Sequence, residues 1–114
     1  MRESINIDLI DTYLDNDLLN LLVKNFENSV PIEIENLIAS VKDDNEQEAL
    51  KVVHKLKNLF LNVGSIETAK IFQDIEDDFY SVNKYSIKSF ENLLNYEYQL
   101  THKSLRTYLE NRKH

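Results

Sequence analysis

The sequence predicts an all-α fold, an antiparallel up-down-up-down four-helix bundle with a short extra N-terminal helix. Three observations predict it. Apolar residues recur every three or four positions over long stretches, helix breakers are nearly absent (one glycine and one proline in 114 residues), and no alternating stretch of comparable strength marks a strand. Amphipathic helices joined by short connections bury their apolar stripes most simply as antiparallel neighbours. With 42% hydrophobic residues and no flexible linker, residues 1–114 read as a single domain around one core. A starting Met and a bundle-length chain favour a protein that stands alone.

A short opening element falls near "NIDLIDTYL", residues 6–14. The first long helix is expected over about 17–42, because Leu19, Leu22, Val23, Phe26, Val30, Ile34, Leu37, Ile38 and Val41 keep one face apolar throughout. Pro31 lies inside this stretch. The period holds its phase across the proline, which favours a kinked helix or two stacked segments over a domain break.

The second helix starts at Asn45, which forms a capping box with Glu48, and stops where Gly64 takes a left-handed cap. Ser65 can start the third, with Ile71, Phe72, Ile75, Phe79 and Val82 on one side and Asp74, Asp77 and Asp78 on the other; "SVNKYS" ends it. The fourth runs from about residue 86 to the C-terminus with Ile87, Phe90, Leu94, Tyr98, Thr101, Leu105 and Tyr108 as its inner stripe.

Charge narrows the function classes. A net charge of −7 repels phosphate backbones and anionic lipid, so the expectation is no nucleic-acid and no membrane partner, but another protein. The chain has no cysteine, hence no disulfide framework and no thiolate chemistry. No apolar run approaches the roughly 18 residues of a membrane span, and no basic-then-apolar leader opens the chain. A cytoplasmic monomer is the expectation.

Within this acidic chain "VVHKLKNLFLNVGS" collects a histidine and lysines just before the only glycine. On a helical wheel Ala49, Val52, Val53, Leu56, Phe60 and Val63 share one arc, and His54 lies about 140° around from Ala49 beside Lys51, Asn58 and Leu61. His54 therefore faces water. An ordinary surface histidine and solvated lysines are the plain reading of such a face. Against it, Leu50 and Leu61 place a small apolar surface around the titratable ring, which suits docking. Lys57, one turn on, can bring an ammonium to an anion on the imidazole, and a phosphoryl group is the anion a nucleophilic nitrogen most naturally carries.

"VHKLKNLFLNVGS" resembles the active-site helix of histidine-containing phosphotransfer domains of two-component phosphorelays. That family's pattern is a histidine, a lysine three residues later, a small residue next, and a glycine six residues further on; here these are His54, Lys57, Asn58 and Gly64. The resemblance covers nearly the whole chain, since the family is a four-helix bundle with the histidine exposed midway along its second long helix. Asn58 departs from the pattern, because the family usually has glycine or another small residue there. Asn58 either screens the imidazole or hydrogen-bonds the phosphoryl oxygens. Ser65 replaces the usual alanine after Gly64.

The resemblance implies a relay that carries a phosphoryl group between aspartates of receiver domains, one on a hybrid sensor histidine kinase and one on a response regulator. His54 is then the phosphoacceptor, attacking through neutral Nε2, and Lys57, helped by Lys55 and Lys51, balances the phosphoryl charge. Leu50, Lys51, Lys55, Asn58, Leu61 and Gly64 form the implied binding set. No cofactor is expected on this chain; Mg²⁺ comes with the receiver's acidic pocket. One glycine cannot build a phosphate loop, so no ATP-dependent kinase activity is expected.

Three alternatives stand beside this reading. A degenerate member would bind receivers or kinases as a regulator without phosphotransfer, which Asn58 favours and His54 with Lys57 disfavours. A carboxylate-histidine metal site would want Glu-x-x-His facing inward, yet His102 follows Gln99, His54 lacks the glutamate, and His114 ends the chain. The acidic run "QDIEDDFY" reads as a solvated face. A helical adaptor with no chemistry would have the same fold.

Overall fold

Asp15 opens the first helix, its carboxylate accepting from the Leu18 N–H at 2.7 Å in place of a missing helical carbonyl. In the computed structural model, which describes residues 5–6, 10, 15–79, 82 and 85–112, four helices pack together: α1 (Asn16–Lys42), α2 (Glu46–Asn62), α3 (Ile66–Asp77) and α4 (Ile87–Arg112). Among the described residues there is no strand. The long dimension of 47 Å follows from the longest helices, 27 residues at 1.5 Å rise giving about 40 Å. α1 packs against α2 and α4, and α2 packs against α3. The helix expected near residues 6–14 lies outside the described residues except Asn6 and Ile10, where the Ile10 N–H bonds the Asn6 carbonyl.

α1 runs unbroken through Pro31, with Leu19, Val23, Phe26, Val30, Ile34, Leu37 and Ile38 buried as the period requires. It ends in a paired-carbonyl cap. Asp44 adopts φ 53°, its N–H bonds Val41 O and the Asn45 N–H bonds Ser40 O. α2 repeats the device with the residue best suited to it: Gly64 at φ 77° sends its N–H to Leu61 O, and the Ser65 N–H reaches Phe60 O. The capping box closes only halfway. Asn45 Oδ1 accepts from Glu48 N–H at 3.2 Å, but the Asn45 N–H is already held by Ser40.

Phe60 of α2 is the hub of the core, meeting Phe26 of α1 edge to face (5.0 Å, 88°) and Phe72 of α3 (5.4 Å). Three expectations need correction. Ser65 holds the N-cap position of α3 but does not cap it; its buried hydroxyl bonds Thr101 of α4 at 3.1 Å instead. α3 ends at Asp77, before "SVNKYS", because Asp74, Glu76 and Asp77 stand at its negative end with no basic residue in the last turn. Ile87, placed on the inner stripe of α4, is exposed, while Leu109 and Glu97 are buried; Glu97, 3% exposed, accepts from Thr68 Oγ1 at 3.4 Å.

Candidate functional site

His54 sits midway along α2 on the side away from the buried Ala49, Val52, Val53, Leu56 and Phe60, and its side chain is 60% exposed. Its ring is not loose. Nδ1 lies 3.0 Å from Glu76 Oε1 in the last turn of α3. An ionised carboxylate only accepts, so Nδ1 carries the proton and Nε2 keeps its lone pair in the neutral ring. Among the described residues Nε2 has no hydrogen-bond partner.

Lys57 turns the same way. Its Nζ donates to Glu76 Oε2 at 3.0 Å and to Gln73 Oε1 at 2.9 Å, and its side chain is only 15% exposed. Glu76 therefore bridges the histidine and the lysine, one oxygen to each. Burial alone would raise the Glu76 carboxyl, but the hydrogen bonds and charges of Lys57 and His54 outweigh it and hold the group below the ordinary carboxyl range. The carboxylate form is thus the one that orients the ring at neutral pH.

The other implied binding residues are distributed unevenly. Lys51, Lys55, Asn58 and Leu61 are exposed on α2 with His54, and Leu50 is half-buried at the edge of that face. Gly64 does not join them. It is buried, its carbonyl accepts from the Asn6 N–H at 2.7 Å, and a Cβ on it would stand 3.1 Å from Ile10 Cγ1, so its contribution is to the chain turn packed against Asn6 and Ile10.

Sequence reasoning missed Glu76 and Gln73. A trace of them was available in the connection: a two-helix hairpin about Gly64 pairs residues at similar distances from the turn. Lys57 meets Gln73 nearer the turn and His54 meets Glu76 farther out, the nesting such a hairpin produces.

His102 belongs to a separate cluster. Its Nε2 lies 2.7 Å from Glu27 Oε2 of α1, and Arg106 clamps the same carboxylate through Nε and Nη2. The imidazole stacks on Tyr98 (5.4 Å, 6°), which stacks on Phe26. The Nε2 edge of this ring joins α4 to α1 and one face lies on Tyr98 of its own helix, unlike the outward ring of His54. His114 lies outside the described residues.

Among the described residues no group of three or more histidines and carboxylates is gathered as metal ligands are, and no helix is long and apolar enough to cross a membrane. No family model matches the chain, and no curated protein or solved structure matches it either.

Proposed function

We propose that the chain is a cytoplasmic histidine phosphotransfer module, an antiparallel up-down-up-down four-helix bundle that carries a phosphoryl group on His54 between receiver-domain aspartates. One observation carries the reading: an exposed mid-helix imidazole held at Nδ1 by Glu76, with Lys57 on the same carboxylate. The nested α2–α3 contacts and the short α1–α2 and α2–α3 connections support the antiparallel arrangement.

The chemistry balances on these groups. The Nε2 lone pair attacks a receiver's aspartyl phosphate, the P–O bond breaks to release the aspartate carboxylate, and a P–N bond forms. The Nδ1 proton stays on the ring against Glu76, whose charge offsets that of the phosphoimidazolium. In the return step a second receiver's carboxylate attacks phosphorus and neutral imidazole leaves, again with Nδ1–H in place. No separate base is required. Lys57 adds positive potential, the receiver brings Mg²⁺ with its acidic pocket, and Lys51 and Lys55 complement that acidity. Leu50 and Leu61 supply the apolar contact, and the partners are the receivers of a hybrid sensor kinase and of a response regulator.

Incubation with phosphorylated receiver domains should give acid-labile, base-stable label on the protein. His54→Gln should carry none while its helical circular dichroism stays unchanged, because position 54 lies outside the core. Label persisting in that variant would move the phosphoacceptor elsewhere. Receiver binding with no label on the wild type would establish the regulator that binds without phosphotransfer.

A further inference from the structure

The last turn of α3 is held by a cation it does not own. Asp74, Glu76 and Asp77 crowd the end where the helix dipole is negative, and no basic residue lies in that turn. The offset comes from α2. Lys57 Nζ donates to Glu76 in that turn and to Gln73 just before it, and the Gln73 amide donates in turn to Asp77 Oδ1 at 2.9 Å, so one ammonium reaches Glu76 directly and Asp77 through Gln73. His54 secures Glu76 a second time, through its other oxygen. The α-helix ends at Asp77, and Asp78 closes it with its N–H on Asp74 O.

We propose that this cluster is a latch set by the phosphorylation state of His54: a phosphoryl group on Nε2 draws Lys57 away from α3 and releases the last turn of that helix. The inference rests on the phosphotransfer reading of His54. A phosphoryl group brings three strong acceptor oxygens carrying about −2, against +1 on the ring it loads, to a position one helical turn from Lys57. It competes with a single carboxylate for the ammonium, while the Nδ1–H of the loaded ring keeps its own bond to Glu76. The loaded state of the relay is thereby displayed on a second helix, at residues 73–78, where a partner can distinguish it from the empty state.

Phosphoramidate tests this without a receiver domain. Its P–N bond breaks, ammonia leaves with the bonding pair, and the Nε2 lone pair forms the new P–N bond while Nδ1–H remains on Glu76. Amide hydrogen exchange of residues 75–78 should then quicken by roughly fivefold or more, the scale on which one lost dipole-offsetting charge acts on a terminal turn. Lys57→Gln should quicken the same amides without any phosphoryl group. Exchange within α1 and α4 should not change in either case, which checks that the fold is intact.

A labelled His54 with unchanged exchange at 75–78 would overturn the latch and leave the phosphoacceptor reading standing. Unchanged exchange in a folded Lys57→Gln would overturn the latch at its source. Failure of phosphoramidate and phosphorylated receivers alike to label His54, with Lys57→Gln still quickened, would overturn the coupling together with the phosphotransfer reading, leaving only a static ion pair.

Discussion

Asn58 is the residue at which the resemblance and the chain part, and its exposure beside His54 makes the consequence measurable. Asn58→Gly is expected to preserve or modestly raise the phosphotransfer rate, because the amide can swing aside on an open face. It should cost about 0.5–1 kcal/mol of stability from glycine in a helix interior, read by urea denaturation. A folded variant that transfers far more slowly would make the amide a participant in the chemistry. Glu27 gives a second test at this scale. The Arg106 hydrogen bonds, against the opposing effect of burial and with help from His102, hold its carboxyl below the ordinary range. A carboxyl lowered in the folded state contributes stability that is present above its unfolded value and lost as pH falls through the folded one. Glu27→Gln should therefore lose about 1 kcal/mol at pH 7, near the low end for charged pairs because Arg106 is half exposed and screened. The stability difference between pH 7 and pH 3, followed by denaturant unfolding, should narrow in that variant. His54 itself was legible in the sequence by helical phase alone, whereas its carboxylate partner was not, since the partner comes from another helix.

The helix ends show how far local chemistry carries at the level of an element. Asn45, Gly64 and Ser86 all stand where the sequence places helix boundaries, and Ser86 Oγ accepts from the Ser89 N–H at 3.1 Å as an N-cap should. Asp44 is the counterpart of Gly64 in an otherwise equivalent cap, at φ 53° with a side chain that pays for that conformation. Asp44→Gly should stabilise the protein by about 0.5–1 kcal/mol. Gly64→Ala should destabilise it by more than that, because the left-handed strain adds to the close approach of Ile10. Thermal unfolding of the two variants should move in opposite directions, and a destabilised Asp44→Gly would mean that the aspartate side chain contributes more than its backbone strain costs. The one boundary misplaced by sequence, the end of α3, is the one governed by dipole and carboxylates instead of by a glycine, proline or cap residue.

Across the whole molecule the rings of Phe26, Phe60 and Phe72 join α1, α2 and α3, and Tyr98 extends the stack to α4. Phe60→Ala should cost about 3–5 kcal/mol in denaturant unfolding, since it opens a cavity where three helices meet. A loss under 1 kcal/mol would show that the neighbouring rings collapse into the space. The sequence by itself determined the all-helical class, the extent of each long helix to within a few residues, the apolar face of each, and the outward position of His54. These follow from period and capping, which act over one or two turns and repeat often enough to be read. The tertiary structure alone decided that Glu76 bridges His54 and Lys57, that Glu97 lies buried against Thr68, and that Glu27 takes His102 and Arg106. Each is a single polar pairing between residues distant in the chain. A lone carboxylate leaves no periodic mark on its own helix, and which cation it meets depends on how two helices are rotated against each other, a choice settled by the packing of the apolar residues around it.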